Sequence, residues 1–456
     1  MAGTLTPAMG IKRSAPAAPP VAALYVALQC ERPGAPTSRH LLTEIDKVAI
    51  GRGEHPAVVR RANEMILTLA DTWMSQKHAI LRLSGARWIV EDAGSRNGTL
   101  VNGAPCTRAV LKDGDVVELG HTLLLFREKV AARPPLDLDA KQLEAPAHGL
   151  ASFAPGLMAE TARLRTIARS TVSVVIHGES GSGKEIAARA LHQLSGRPGP
   201  FVAVNCGGIA KNLVESEMFG YRKGAFSGAD EDRPGLMRSA DKGTLFLDEI
   251  ADLPSAAQAV LLRALQESEV VPVGATRPVK IDVRVLAATH YDLQEQIAEG
   301  AFRADLFARI SGFTVRLPPL RERREDLGLL IGEILKRLTP DAVQLTPAAA
   351  RALFAYQWPL NVRELEKCLA TAVILAAGQP IDVQHLPDWA HPSETPVAQK
   401  PVPPPTEDDI RQRDELLALL KEHRGNVSSI ARAMGKARMQ VQRWLKRYGL
   451  DPEEFR

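Results

Sequence analysis

Apolar and polar positions divide this chain into three rhythms. From about Val21 to Glu128, short apolar runs such as Ala23–Leu28, Ala79–Leu83, Trp88–Glu91 and Leu123–Phe126 are separated by turn clusters such as Asp92-Ala93-Gly94-Ser95. Short runs punctuated in this way predict an all-β sandwich over residues 21–130. From about Leu150 the apolar segments Ser173–His177, Phe201–Asn205, Thr244–Leu247, Asp282–Ala287 and Phe313–Leu317 alternate with longer stretches of helical period. That order predicts an α/β domain over 150–391, a parallel sheet with crossover helices. A helical lid is expected from Arg321 to about Leu375, and residues 408–456 read as helices, an all-α end. Residues 1–20, rich in Ala, Pro and Gly, are expected to be disordered. Residues 131–149 read as a linker. Residues 392–407 carry Pro392, Pro396, Pro401, Pro403, Pro404 and Pro405, which predicts a second, semi-extended linker. No internal repeat is visible.

Composition narrows the class. A chain of 456 residues, 45% hydrophobic and 24% charged, fits a soluble multidomain protein. The net charge of +4 excludes little, but Lys436, Arg438, Arg443, Lys446 and Arg447 fall together without an acidic neighbour. Cys30, Cys106, Cys206 and Cys368 lack paired short spacing, which argues against a zinc site or disulfide framework and fits a reducing cytoplasm. No apolar run approaches the ~20 residues of a membrane span, so no membrane partner is expected. Pro16, Pro19 and Pro20 follow Lys12 and Arg13 where a signal peptide needs an apolar core.

The central domain carries phosphate chemistry. An apolar strand runs into Gly178-Glu179-Ser180-Gly181-Ser182-Gly183-Lys184, and an Ala-rich helix follows. In that context the glycines let backbone N–H groups wrap a β-phosphate, while Lys184 neutralises β/γ charge at a helix amino terminus. Glu185 replaces the hydroxyl residue that usually follows the lysine. A second apolar strand ends in Asp248-Glu249, the carboxylates expected to hold Mg2+ (Asp248) and polarise a water (Glu249). Between the two lies Gly224-Ala225-Phe226-Ser227-Gly228-Ala229, small residues around one aromatic, which suits a tip that touches a partner.

Together with Phe201–Cys206, Ala287-Ala288-Thr289, Leu317–Arg323 and Asn361–Glu366, these motifs resemble the AAA+ domain of bacterial enhancer-binding activators of sigma-54 RNA polymerase. The resemblance implies ATP and Mg2+ as cofactors and Gly224–Ala229 as the sigma-54 contact. It implies that Asn205 restrains Glu249, that Thr289 senses nucleotide, and that Arg363 is the sensor in the lid. Arg303 and Arg309 become arginine fingers reaching a neighbouring subunit, hence a homo-oligomer up to a hexameric ring. Ser227 stands where the family usually has Thr, His290 where it usually has Asn, and Leu360 where Gly is common.

The amino-terminal stretch resembles a forkhead-associated (FHA) domain through Gly51-Arg52, Ser75-Gln76-Lys77-His78, Ser95-Arg96-Asn97-Gly98-Thr99, Val101-Asn102-Gly103 and Asp113-Gly114-Asp115. Arg52 offers a fork and Ser75 a hydroxyl to phosphate. By resemblance Asn97 holds a phosphothreonine peptide's backbone, with Gln76 and Arg96 in neighbouring loops and His78 bracing them. At the other end, Val427–Tyr448 fits a helix-turn-helix, with Gly435 at the turn and Ile430, Met434, Val441 and Trp444 as its core. Arg438, Met439, Gln440, Gln442 and Arg443 suit base edges, and Lys446 and Arg447 suit phosphates of double-stranded DNA. This end resembles the Fis-type module of the same activators. The whole reads as an ATP-hydrolysing transcriptional activator; a binding-only DNA regulator with a vestigial ATPase and an ATPase acting on another target are the alternatives.

Overall fold

The computed structural model describes residues 20–132, 134–143, 147, 149–210, 213–390, 415–420, 422–423, 426–436 and 438–448. They fall into two units, within residues 1–391 and 392–456. The disorder expected over 1–20 needs correcting at Pro20, which opens the first strand, while residues 1–19 and the proline-rich linker lie outside the described residues.

The first unit opens with a sandwich. Its seven-stranded sheet runs, in spatial order, 137–139, 38–41, 20–29, 122–131, 116–119, 99–101 and 104–106. Its six-stranded sheet runs 108–110, 87–92, 79–84, 47–52, 64–69 and 57–61. Strand Pro20–Gln29 pairs antiparallel with Thr122–Ala131. Both are apolar on two faces: Leu24, Val26, Leu124 and Phe126 enter the sandwich core, while Ala23, Tyr25, Leu123 and Leu125 enter a second core behind the sheet. Because side chains alternate with period two, a strand covered on both sides loses the apolar/polar alternation. The expected linker 131–149 needs correcting. Asp137–Asp139 forms an edge strand on Ser38–His40, held where the Asp137 carboxylate takes Arg60 at 2.8 Å and His40 at 2.8 Å.

The second core belongs to the lid. Tyr25, Leu28 and Leu125 pack with Phe153, Leu320, Leu327 and Ile331 in one apolar cluster. Lid helices Leu327–Leu338, Pro347–Ala355 and Asn361–Ala376 follow the expected span. Thr346 caps the second by accepting from the Ala349 N–H, with Pro347 at its first turn. Between sandwich and lid along the chain comes the α/β domain, a five-stranded sheet in the order Phe201–Asn205, Thr244–Asp248, Arg284–Thr289, Val174–His177, Phe313–Arg316. All its pairs are parallel. The register sets Asn205 beside Asp248 and His177 beside Thr289, so the carboxyl ends of the strands converge on one edge.

In the second unit, helices Val427–Ala433 and Arg438–Tyr448 flank Gly435, whose φ of 62° makes the turn. Asn426 caps the first by accepting from the Ser428 and Ser429 N–H groups. The core holds Ile430 and Val441 as expected, but Leu416, Leu420, Ala431 and Leu445 are buried in it too, and Met434 and Trp444 are only half-buried.

Candidate functional site

Strand Val174–His177 delivers the glycine loop to the converging edge, and helix Lys184–Ser195 starts behind it. Gly181 and Gly183 take φ of 74° and 104°, where a side chain is strained. Gly181 also lies under Leu360, whose carbonyl oxygen a Cβ would overlap. Lys184 is buried and donates to the Gly178 oxygen at 3.0 Å, the Glu179 oxygen at 3.4 Å and Glu249 Oε1 at 3.1 Å. The Ser182 hydroxyl is buried without a hydrogen-bond partner in its surroundings. A buried hydroxyl left unpaired costs free energy, so this cradle fits an anionic ligand rather than a closed turn. Glu185 turns along its helix to Arg189 at 2.7 Å.

The Asp248 and Glu249 carboxyls are shifted in opposite directions. Burial, with the Glu249 charge beside it, pushes the Asp248 carboxyl up from its ordinary value. Burial also disfavours ionised Glu249, but hydrogen bonds from His290 and Lys184 outweigh it and hold that carboxyl below the usual range. Glu249 sits at φ 50°, ψ 54°, a left-handed backbone uncommon for a non-glycine residue. The restraint expected from Asn205 is not what the structure shows. Asn205 Oδ1 accepts from the Gly207 and Gly208 N–H groups at 3.1 and 3.2 Å, capping a short 3-10 turn. His290 holds Glu249 instead, through Nδ1 at 2.8 Å and its backbone N–H at 3.3 Å. Its ring lies against Tyr291 at a tilt of 37°, with centroids 3.9 Å apart. The Thr289 hydroxyl accepts from the Tyr291 N–H at 3.0 Å.

The lid closes on the glycine loop through residues of two quoted motifs, of which motif reading gave a role only to Arg363. Arg321 forks onto Glu179 at 2.8 and 2.5 Å and draws its carboxyl down to about 2. Asn361 Nδ2 donates to the Ser180 oxygen at 2.9 Å while its Oδ1 accepts from the Leu320 N–H at 2.7 Å. Buried Arg323 reaches the Ser182 oxygen at 3.2 Å. Arg363 stands at the same place, 3.4 Å from Ser180 Oγ. Their signal lay in the flanking segments Leu317–Arg323 and Asn361–Glu366. Between loop and lid is a cleft of about 460 Å³ with apolar walls from Ile186, Leu330, Ile334 and Val362. Arg303 and Arg309 take no part in this protomer's cleft: they bond to Asp305 at 2.7 Å and to the Leu265 oxygen at 2.7 Å, both on the surface.

Residues 152–316 match the Sigma-54 interaction domain, 321–401 the AAA+ ATPase lid domain, and 48–120 the FHA domain. The response regulator protein PilR of Pseudomonas aeruginosa is 42% identical over 348 residues, covering 74% of this chain and 76% of PilR. The chain belongs to the sigma-54 activator family. The transcriptional regulatory protein ZraR of Escherichia coli K12 is 40% identical over 313 residues, 66% of this chain and 69% of ZraR. A solved structure of NtrX from Brucella abortus in complex with ATP is 32% identical, covers 66% of this chain and 69% of NtrX, and superposes with a TM-score of 0.49.

Within this sigma-54 activator, Gly224–Ala229 forms a compact turn in which the Gly224 N–H donates to the Ala229 oxygen at 2.8 Å. Phe226 is 42% exposed and leans edge-on against Tyr221, centroids 4.9 Å apart. Ala229 is buried at the base. A second loop supports the turn: the Arg222 N–H donates to the Val273 oxygen at 3.0 Å, and Gly274 lies so close to Ala225 that a Cβ would come within 2.7 Å. Sequence reading missed this brace, although Gly274-Ala275 between Pro272 and Pro278 marks it.

In the FHA domain the expected residues share one end of the sandwich. Ser75 Oγ accepts from the Arg96 N–H at 3.0 Å, and Asn97 Nδ2 donates to the Trp73 oxygen at 2.7 Å. Arg52 is exposed, and among the described residues its guanidinium is held by a 3.4 Å bond to the Thr72 oxygen alone. A Cβ on Gly51 would overlap the Gln76 carbonyl oxygen, so glycine is needed there. His78 is fully buried, accepting from the Ser75 N–H and reaching the Gly98 oxygen at 3.0 Å. Trp73, which sequence reading did not single out, lies beside these loops, half exposed and stacked on His121 at 4.5 Å. In the second unit Arg438, Met439, Gln440 and Arg443 are exposed on one helix. Gln442, Lys446 and Arg447 belong to it, but their side chains lie outside the described residues. No helix among the described residues is long and apolar enough to cross a membrane.

Proposed function

We propose that this protein is an ATP-hydrolysing transcriptional activator that binds enhancer DNA and remodels sigma-54 RNA polymerase closed complexes. One observation carries the reading: a braced, exposed Phe226 turn belongs to the same domain as the Lys184–Glu249 pair. A domain that pairs phosphate chemistry with a presented aromatic is built to convert one into movement of the other.

The residues divide the work. The glycine-loop N–H groups and Lys184 bind the phosphates, and the apolar cleft walls take the base. Asp248 would hold Mg2+, which would supply positive charge to the transferring phosphates. Glu249, kept ionised, accepts a proton from the attacking water. Arg303 and Arg309 supply positive charge to a neighbouring subunit, which requires a head-to-tail interface and so a closed ring, expected to be a hexamer. Thr289 and Arg363 report nucleotide state from the strand end and the lid. The carboxyl-terminal unit is a Fis-type helix-turn-helix whose Arg438–Arg447 face reads enhancer DNA as a dimer. The FHA loops of Arg52, Ser75, Gln76, Arg96 and Asn97 take a phosphothreonine, from a partner or from this chain, and so regulate the ring. The binding-only alternative drew on the departures at His290 and Ser227; the His290 bond to Glu249 weighs against the first of them.

Promoter opening by the purified protein with sigma-54 polymerase tests the reading. Opening is expected in ATP, not in a non-hydrolysable analogue, and not with Phe226→Ala, which is expected to retain hydrolysis. Normal opening by Phe226→Ala contradicts the role of the turn.

A further inference from the structure

Helix Leu327–Leu338 has two occupied faces. Gly328, Gly332 and Leu335 meet the sandwich: a Cβ on Gly328 would overlap the Ala27 carbonyl oxygen, one on Gly332 would come within 2.6 Å of the Pro33 oxygen, and Leu335 borders the same 31–36 loop. Leu330, Glu333, Ile334 and Arg337 line the cleft beside the glycine loop, and Lys336 between the two sets borders both sides. At about 100° per residue the two sets centre roughly 180° apart, on opposite sides of one helix. Glycine costs about 1 kcal/mol against alanine inside a helix, so two glycines at this spacing are a liability unless the sandwich backbone must approach closely.

Other contacts hold the same seat. Glu118, only 2% exposed, receives both Nε and Nη2 of Arg351 at 2.7 and 2.9 Å. Arg127 pairs with Glu325 at 2.6 Å, and Arg324 donates to the Gly114 oxygen at 3.0 Å. The Leu345 N–H donates to the Cys30 oxygen at 2.8 Å. The two-sided apolar strands Pro20–Gln29 and Thr122–Ala131 supply the floor. A buried carboxylate with its own arginine, shared apolar core and backbone pairing describe a permanent interface, not a touching of tethered domains.

We propose that the sandwich is the outer wall of the lid, and that its seat on Leu327–Leu338 sets nucleotide affinity on the helix's opposite face. The inference rests on reading the Lys184 cleft as the nucleotide site. A shift of the seated face moves Leu330, Glu333 and Ile334 with it, because a helix transmits displacement as a rigid rod while a packed core does not absorb it. By linkage, whatever ligand alters the seat from the sandwich side alters nucleotide affinity, and nucleotide alters that ligand's affinity by the same factor.

The test is the Kd for fluorescent mant-ADP in the full chain, for wild type, Gly328→Ala, Gly332→Ala and Arg351→Gln. The alanines favour the helix, so unchanged far-UV circular dichroism is expected while the sandwich is displaced. Kd is expected to rise at least about fivefold in Gly328→Ala, the lower end of typical couplings, and in the same direction in the other two. If Gly328→Ala fails to fold, the other two decide. Wild-type Kd, or a lower one, in every folded variant overturns the proposal while leaving the nucleotide site standing. A wild-type chain that binds no mant-ADP overturns the nucleotide reading and this inference with it.

Discussion

Removing the His290 ring tests how Glu249 is held for catalysis. The carboxylate has two anchors: Lys184 on Oε1 at 3.1 Å and His290 Nδ1 on Oε2 at 2.8 Å. Phosphate draws Lys184 toward itself, so in the loaded site the imidazole is the anchor that leaves Oε1 free to face water. A hydrogen bond to a charged group contributes about 1.5–3 kcal/mol. The His290 side chain is 41% exposed, so water replaces part of the bond and the lower end applies. With about 1.4 kcal/mol per tenfold, His290→Ala is expected to lower kcat roughly tenfold. KM should change little, because the bond is made to the base and not to substrate. The Asn amide nitrogen, attached to Cγ like Nδ1, reaches the same point; the Gln nitrogen lies one bond further. Steady-state hydrolysis by His290→Asn should therefore recover most of kcat, and His290→Gln should not. Unchanged kcat in His290→Ala refutes the argument. Equal losses in the Asn and Gln variants would place the effect on the ring contact with Tyr291 instead.

Other expectations are equally direct. Arg52→Ala should abolish binding of phosphothreonine peptides in fluorescence anisotropy, since that guanidinium has only one weak internal bond; unchanged affinity would show that these loops hold no phosphate. The Glu179–Arg321 latch should carry a pH signature. The folded carboxyl sits at about 2 against an ordinary 4.5, so its stabilisation is full above about pH 4.5 and disappears as pH falls toward 2. Lid melting followed by Trp358 and Trp389 fluorescence should thus favour wild type over Glu179→Gln at pH 7, with the gap narrowing below pH 4.5. Both partners are more than one-third exposed, so the gap is small, and a gap that widens in acid contradicts the assignment.

How much of this was legible follows from where each interaction is encoded. The parallel strands were, because each is a local apolar run: Phe201–Asn205 has the expected bounds, and the others differ by a residue or so. Strand Arg284–Thr289 begins later than the expected Asp282 because Arg284, inside the sheet edge, spends its guanidinium on the Ile167, Ala168 and Val172 carbonyls near a distant helix end. Nothing near Arg284 in sequence signals that. Asp137 is the same case, its partners Arg60 and His40 lying far upstream, which is why a strand was taken for a linker. Asn205 is a local case: its Oδ1 is taken by the Gly207 and Gly208 N–H groups two and three residues on.

The seat of the sandwich on the lid was written more openly. A sandwich strand with one wet face alternates, and Ala23–Leu28 and Leu123–Phe126 do not. Two apolar faces on adjacent strands demand two cores, and one sandwich supplies only one. Glu118 adds the charge argument: a carboxylate buried beside Cys30 is tolerable only with a cation, and no arginine of the sandwich provides it, but Arg351 of the lid does. The loop end carrying Arg52 and Asn97 contains none of these contacts, so a ligand can bind there without competing with the lid. The sandwich therefore joins a ligand-facing end to a nucleotide-facing helix through one continuous packed body, and a rigid connection of that kind conveys binding only if the seat itself can shift.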